Sequence, residues 1–304
     1  MIKVGYLVSY DFELLFNSLP TVYEESDRIY IAIDKSRKTW AGNKFLLPDT
    51  FYTQIEKLDT SSKITFFEDN FYVPNLSPME NEIRERNLLL KEMGKGWLIQ
   101  LDTDEYAYNF KDLVNELNKR KYLIKFNKIL PISLSGKQLI LFKKNNNGFF
   151  YLDNKTTFSF ITNYPKYTGA RKNANMLNIQ IGSLFLHQAY ARNEEEIYQK
   201  INNWGHKNDF NTTDFFNFWK SINIDNYKSF SNFHPEKPEL WSSLSFTKSN
   251  NIQDFINNYD GSYKLSFKNV RIHTILVKNF GIKYKQTKRA LKKRLYNIYR
   301  IIKL

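Results

Sequence analysis

The stretch WLIQLDTDEY, residues 97–106, decides the fold. Its first five residues are largely apolar, which is typical of a buried β-strand. An acidic triplet, Asp102, Asp104 and Glu105, follows directly. In open α/β sheets, ligands bind at the carboxyl ends of the strands. The stretch therefore predicts a buried strand that brings carboxylates to a ligand site.

The acidic triplet favours a metal site. Carboxylates at a strand end repel one another, and a hard cation such as Mg²⁺ or Mn²⁺ relieves that repulsion and completes its shell with phosphate oxygens. We therefore predict that Asp102 and Asp104 bind Mn²⁺ or Mg²⁺ together with the diphosphate of a nucleotide-sugar, with Asp102 and Thr103 also touching this donor. The alternative is a polar turn whose acids are only solvated.

Strands and helices alternate on both sides of this stretch. The hydrophobic patterns predict strands over 2–9, 28–33 and 63–67, and helical segments over 12–19, closed by Pro20, and over 79–93. This alternation predicts an α/β fold with a doubly wound, mostly parallel sheet. Ser9, Tyr10 and Asp34 then lie at the ends of the first two strands and line a nucleoside pocket, although Asp34 also suits a helix cap or a turn.

Four segments carry a resemblance to a known family: YDFELLFNSLPTVYEESDRIYIAIDKSRKTWAGNKF, NEIRERNLLL, GWLIQLDTDEY and LFLHQAYARNEEEIYQKINNWGH. Together they span residues 1 to about 210. They resemble bacterial glycosyltransferases of the GT-A fold, close to the family-2-like group that builds surface polysaccharide. The chain departs from that pattern with Val-Ser-Tyr-Asp at the first strand end and Asp34-Lys35-Ser36-Arg37 after the second, which leaves the donor nucleotide open.

The resemblance implies a Rossmann-like GT-A sheet and a nucleotide-sugar donor, most simply a UDP-sugar. It implies that Arg86 and Asn87, on the helix before the acidic strand, bind the nucleotide, with Arg84 as runner-up. It also implies a third metal ligand, His187, which ends the strand-like run 179–186. A lone histidine is equally consistent with a structural role, and His206 is a further candidate near the site.

Family-2-like enzymes are mostly inverting, so the resemblance implies a carboxylate base that takes a proton from the acceptor hydroxyl. Asp209 is the first candidate, with Glu105 and Glu194 as alternatives. The acceptor implied is a glycan or lipid-linked glycan of lipopolysaccharide or capsule, at the cytoplasmic face of the membrane.

The region after the acidic strand is harder to interpret. Its patterns predict strands over 121–126, 138–142 and 157–161, a hairpin turn over 145–148, and a polar loop over 167–175. We divide the chain into a glycosyltransferase domain over 1–215, with a nucleotide-sugar half 1–110 and an acceptor half 111–215, and a helical C-terminal extension over 216–304.

The C-terminal tail is strongly basic. Residues 278–304 contain ten Lys or Arg and no Asp or Glu, in a chain of net charge +14. In helical register Leu291, Leu295, Ile298 and Ile302 share one face, which indicates a basic amphipathic helix at an anionic membrane surface. A partner helix, an oligomer contact or a nucleic-acid arm would give the same pattern.

Composition narrows the remaining classes. The chain of 304 residues is 42% hydrophobic and 16% aromatic, which excludes global disorder, and it has no cysteine for disulfides or zinc. No signal peptide and no 18-residue apolar run is evident, so we expect a cytoplasmic protein peripheral to the membrane.

Two other function classes stay open. A metal-dependent nucleotidyltransferase would also use acids at a strand end, but it would usually carry a Gly-rich basic loop after the first strand. A nucleic-acid-binding protein would explain the charge but not the acidic triplet. We therefore expect no nucleic-acid partner.

Overall fold

The computed structural model describes residues 1–152, 155–173, 175–203 and 209–259. These residues form ten strands: β1 Ile2–Val8, β2 Arg28–Asp34, β3 Ile64–Asp69, β4 Trp97–Asp102, β5 Glu105–Tyr108, β6 Ile132–Asn145, β7 Gly148–Leu152, β8 Thr156–Thr162, β9 Leu177–His187 and β10 Leu244–Lys248. The α-helices are α1 Leu15–Ser18, α2 Pro20–Tyr23, α3 Asp49–Leu58, α4 Pro78–Met93, α5 Phe110–Lys119, α6 Glu194–Asn203, α7 Thr212–Ser221 and α8 Ile252–Asn258. The molecule is a mixed α/β protein with helices flanking a central sheet.

The N-terminal strands form the parallel part of the sheet, in the order β3-β2-β1-β4. Leu7 of β1 pairs with Asp102 of β4, and Val8 pairs with Ile33 of β2. This register brings the carboxyl ends of three parallel strands to one edge of the sheet. The predicted residues Ser9, Asp34 and Asp102 therefore lie at the same edge, as the strand pattern requires.

The sheet continues beyond β4 with mostly antiparallel strands, in the order β4-β8-β6-β7-β10. Strand β9 pairs in parallel with β6 and antiparallel with β5, so that His187 lies opposite Glu105. The acidic turn between β4 and β5 is thereby placed beside the end of β9.

Helix α4 packs tightly on the parallel strands. A Cβ atom on Gly5 would lie 2.8 Å from the Met93 sulfur and 2.9 Å from a Leu89 methyl group, so a larger residue would force these two side chains to move. The helix begins with a capping box between Ser77 and Glu80, which satisfies its first backbone amides. Fixed at its start and packed along one face, α4 presents its acidic and basic residues to the edge where the strands end.

Most strands predicted from the sequence are present, with two local differences. Residues 121–126 are not a strand, since Lys121–Ile124 form a 3-10 turn in which only Leu123 is buried. Pro20 does not close the first helical segment. It is the first residue of α2, a position where its missing amide costs nothing.

The C-terminal part is described only to residue 259. Helix α7 crosses the predicted boundary at 215/216, and β10 joins the edge of the sheet beside β7, so the described part of 216–304 is not purely helical. The predicted basic tail 278–304 and His206 lie outside the described residues. Within the described ranges, no helix has both the length and the apolar character that a bilayer-crossing segment needs.

Candidate functional site

A cavity opens at the edge where β1, β2 and β4 end. It encloses about 860 Å³ of empty space, including its open mouth. Ser9, Tyr10 and Asp11 come from the end of β1, and the acidic turn comes from the end of β4. The remaining walls come from α4, α6, the loop after β2, and the end of β9 with the segment that follows it. The residues that line it are Leu7, Val8, Ser9, Tyr10, Asp11, Asp34, Lys38, Thr39, Trp40, Glu82, Glu85, Arg86, Asp102, Thr103, Asp104, His187, Ala189, Tyr190, Lys200 and Asn203.

Asp102 is held by two arginines from distant parts of the chain. Arg86 Nη2 donates to both carboxylate oxygens, at 2.9 and 3.2 Å, and Arg171 Nη2 lies 2.6 Å from Oδ2. Burial alone would raise the pKa of Asp102, but the two guanidinium groups lower it to about 2. The side chain is therefore ionised at neutral pH and fixed in orientation.

Asp104 is buried more deeply and is bound by a second set of basic groups. Its Oδ2 accepts from Arg192 Nη2 at 2.6 Å and from Lys200 Nζ at 2.7 Å, and His187 Nε2 lies 3.4 Å away. Burial opposes ionisation, yet Lys200 and its two basic neighbours hold the pKa of Asp104 well below its ordinary value. Arg192 also donates to Asp11 at 3.0 Å, which ties the end of β1 to this cluster.

These ion pairs bear on the predicted metal. The structure does bring Asp102, Asp104 and His187 to one cavity, as predicted. Each of the two carboxylates is, however, already neutralised by two basic side chains, and no group of three or more His, Asp or Glu suited to a metal ion occurs within the described ranges. A divalent cation would have to displace these bases, so the arrangement does not fit a resident metal.

Asp34 lies at the predicted strand end, but its carboxylate is occupied by backbone amides. Oδ1 accepts from the amides of Ser36 and Lys38, at 2.9 and 3.1 Å, and Oδ2 accepts from those of Phe71 and Tyr72, both at 2.9 Å. Asp34 therefore joins the loop after β2 to the loop after β3. It shapes the cavity wall, and contact with a base or ribose stays a prediction.

The polar residues of α4 have separate roles. Arg86 lines the cavity, as predicted, and also binds Glu82 through Nε at 2.9 Å. Asn87 instead exchanges two hydrogen bonds with the backbone of Tyr167, at 2.7 and 3.1 Å, and so fixes the polar loop predicted over 167–175. Arg84 donates to the carbonyls of Asn70 and Phe71. Of the three, only Arg86 lines the cavity.

Three buried polar atoms on cavity-lining residues have no hydrogen-bond partner: Ser9 Oγ, Arg86 Nη1 and His187 Nδ1. Four further such atoms occur elsewhere in the described part of the chain, on Gln100, Ser133, Tyr167 and Ser183. A buried polar group without a partner is costly, and its presence calls for an explanation such as a ligand. Three of these atoms belong to residues that line one cavity, although the atoms themselves are almost fully covered.

Several contacts that shape this site are not predicted from the sequence. Lys200 and Arg192 bind Asp104 but lie 96 and 88 residues from it in the sequence, and Arg171 binds Glu105 but lies 66 residues from it. Asn203, at the end of α6, accepts from Thr39 and Asn43 at 2.9 and 2.8 Å and so ties α6 to the loop after β2. The only sequence signal for Lys200 is its place on a helix that follows His187.

The described structure places none of the predicted carboxylate bases on the cavity wall. Asp209 is exposed, and Glu194 is an exposed partner of Lys220, with its Oε2 2.7 Å from Lys220 Nζ. Glu105 is buried, where Arg171, Gln138 and the Asp102 amide occupy its oxygens. The identity of the base therefore stays a prediction.

Comparison with known proteins gives little direct guidance. No family model matches the chain, and no curated protein matches it. Among solved structures it is similar to residues 1–349 of S. aureus TarS, at 14% identity and a TM-score of 0.34, over 66% of this chain and 63% of that one. A Helicobacter pylori structure described as mannose-6-phosphate isomerase aligns at 15% identity and a TM-score of 0.29, over 50% of this chain and 55% of that one.

A Thermus thermophilus structure described as mannose-1-phosphate geranyltransferase aligns at 9% identity and a TM-score of 0.25, over 53% of this chain and 50% of that one. The chain spans less than two thirds of the length of each of these proteins. Scores at this level are too low to support a conclusion about activity. The site must therefore be interpreted from its own geometry.

Proposed function

We propose that this protein transfers a sugar from a nucleotide-sugar donor to a glycan acceptor, with the donor bound in the cavity at the ends of β1, β2 and β4. The observation that carries the proposal is a cavity at the ends of three parallel strands whose lining includes Ser9, Arg86 and Lys200. Ligands of α/β sheets bind at such an edge, and phosphate oxygens accept hydrogen bonds from hydroxyl, guanidinium and ammonium groups.

The charges of the cavity suit a diphosphate. Arg86 Nη1 is an unused donor of a guanidinium group, and Lys200 is a partly accessible ammonium group that lies against Asp104. In this proposal the two cations bind the donor diphosphate and stabilise the charge that develops on the departing nucleoside diphosphate. Asp102 and Asp104 keep the cations in position, because their carboxylates are themselves fixed by burial.

The finer parts of the proposal come from the resemblance. The proposal includes transfer with inversion, a carboxylate base such as Asp209, and a lipopolysaccharide or capsular acceptor. It also includes a membrane-surface location through residues 278–304. The predicted Mn²⁺ or Mg²⁺ could enter only by displacing the basic partners of Asp102 and Asp104, so the chemistry described above uses the chain's own cations. Deletion of residues 278–304 should release the protein from vesicles of anionic lipid; retention would contradict the membrane role.

A donor screen tests the proposed reaction. Incubation with a panel of nucleotide-sugars and glycan acceptors should release a nucleoside diphosphate and give a product heavier by one sugar residue, which mass spectrometry detects. Release of pyrophosphate from a nucleoside triphosphate and a sugar phosphate would indicate nucleotidyl transfer instead. NMR of the product anomer then decides between inversion and retention.

A pair of serine variants tests the site. Ser9→Ala removes a hydroxyl that has no protein partner, so it should leave stability unchanged while weakening nucleoside diphosphate binding by several-fold. Ser183→Ala is the matched control, because it removes an equally unpartnered hydroxyl away from the cavity. It should change neither stability nor nucleoside diphosphate binding. Equal binding by wild type and Ser9→Ala would remove Ser9 from the donor site.

A further inference from the structure

The wall of the cavity contains an acid that the proposed reaction does not use. Glu85 lies on α4 and is 6% exposed, beside Arg86. Its Oε2 accepts a hydrogen bond from the indole Nε1 of Trp40 at 2.5 Å. Its other oxygen, Oε1, has no hydrogen bond to any residue that the structure describes. Since Glu85 lines the cavity, Oε1 is the atom of this side chain left for a ligand.

Trp40 is itself held in place, so the orientation of Glu85 is fixed. The backbone carbonyl of Trp40 accepts from Asn81 Nδ2 at 3.1 Å, and the Arg86 guanidinium lies 5.7 Å from the centre of the indole ring. An indole nitrogen only donates hydrogen bonds. The Glu85 oxygen that faces Trp40 must therefore act as an acceptor, which leaves any proton of the acid on Oε1.

The surroundings of Glu85 favour the protonated acid. Burial is the main cause, and it raises the pKa of Glu85 to about 8, although Trp40 and Arg86 oppose the shift. The carboxylates of Asp34 and Asp102 raise it further. At neutral pH the side chain is mostly a neutral acid, with Oε1–H as a hydrogen-bond donor.

We propose that Glu85 donates a hydrogen bond from Oε1 to the nucleobase of the donor, and that Trp40 holds it in the orientation required. This inference rests on the proposed function, because it assumes that the cavity binds a nucleotide. A protonated acid in the cavity wall adds no negative charge beside the diphosphate. An ionised one would add repulsion.

A fixed hydrogen-bond donor distinguishes nucleobases by one atom. Uracil carries a carbonyl oxygen where cytosine carries an amino group, and guanine carries a carbonyl where adenine carries an amino group. A carbonyl oxygen accepts the hydrogen bond that Glu85 donates. An amino group is itself a donor, so it would face the Glu85 O–H without forming a hydrogen bond. The site should therefore prefer UDP to CDP, or GDP to ADP, depending on whether it admits a pyrimidine or a purine.

Calorimetric titration of the full chain with UDP, CDP, GDP and ADP tests this inference. We expect the wild type to prefer the carbonyl-bearing member of one pair by about tenfold. The amino-bearing member would leave the Glu85 hydrogen bond unmade, and the loss of one such bond reduces affinity by about this factor. Glu85→Ala should reduce that preference to less than about threefold.

Glu85→Gln is the informative variant, because Trp40 dictates the orientation of its amide. The amide oxygen must face the indole N–H, so the NH₂ group faces the cavity and donates as the neutral acid does. This variant should keep the preference, and Glu92→Gln, an exposed substitution on the same helix, is the control for a Glu-to-Gln change away from the cavity. Circular dichroism confirms that each variant is folded.

The outcomes separate the two proposals. Binding of nucleoside diphosphates with the same base preference in wild type and in Glu85→Ala would overturn the role of Glu85 and leave the proposed function standing. Loss of the preference in both Glu85→Ala and Glu85→Gln would show that the side chain accepts rather than donates, which overturns it as well. Failure of the wild type to bind any of the four nucleotides would overturn the proposed function and this inference together.

Discussion

Replacing Asp34 by alanine should destabilise the fold, because this side chain supports two loops at once. Four backbone amides donate to it, over 2.9 to 3.1 Å. A hydrogen bond to a charged group contributes about 1.5–3 kcal/mol, so four would sum to roughly 6–12 kcal/mol if nothing replaced them. Water reaches the freed amides once the loops relax, and we expect about 3–5 kcal/mol of the free energy of unfolding to be lost.

Urea unfolding followed by tryptophan fluorescence measures this loss. With an m-value of about 3 kcal/mol/M, the midpoint should fall by about 1–2 M. Asp69→Ala is the matched control: Asp69 ends the neighbouring strand β3, but among the described residues its carboxylate accepts only from the Asn70 amide, so its loss should cost less than about 1 kcal/mol. Equal midpoints for the Asp34 and Asp69 variants would refute the idea that Asp34 acts by holding the loops.

Three further predictions concern the charges of the site. Lys200→Ala should leave the protein folded, because Arg192 still pairs with Asp104. It should weaken UDP or GDP binding about tenfold in calorimetry, and unchanged affinity would show that Lys200 does not bind the diphosphate. Excess chelator should leave nucleotide binding largely intact, because the carboxylates are already paired, and a strict requirement for Mn²⁺ or Mg²⁺ would show that a metal displaces those bases. Glu85→Gln should be more stable than wild type at pH 8 by up to about 4–5 kcal/mol. The folded protein raises the pKa of Glu85 from 4.5 to about 8, so between these pH values the folded state holds a proton that the unfolded chain releases. Urea unfolding should show the stability difference vanishing near pH 4.5, and a difference that does not change with pH would contradict the shift.

The strand pattern accounts for what the sequence predicts well. Runs such as 2–8, 28–34 and 97–102 are apolar enough to be buried on both faces of a parallel sheet, and each ends in a polar residue or directly before one. Once these strands are parallel neighbours, Ser9, Asp34 and Asp102 must lie at one edge. The location of the candidate site therefore follows from local patterns.

The partners of the acids do not follow from local patterns. Arg171, Arg192 and Lys200 lie between 66 and 181 positions from the acids that they bind, and nothing in their own neighbourhoods marks them as ligands of buried carboxylates. The sequence therefore predicts a metal for these acids, whereas the fold supplies basic side chains. Similarly, residues 121–126 have the apolar content of a strand, but no partner strand lies beside the 3-10 turn that they form in the described structure.

A crystal structure of the protein soaked with the nucleoside diphosphate that binds best tests the central claim most directly. The proposed function predicts density for the nucleotide in the cavity at the ends of β1, β2 and β4, with the diphosphate in contact with Arg86 and Lys200 and the base beside Glu85. The chain offers a second depression, lined by Asp27, Arg28 and Lys63 among others, where β1 and β2 begin. Nucleotide density at that opposite end, with none in the cavity, would contradict the account.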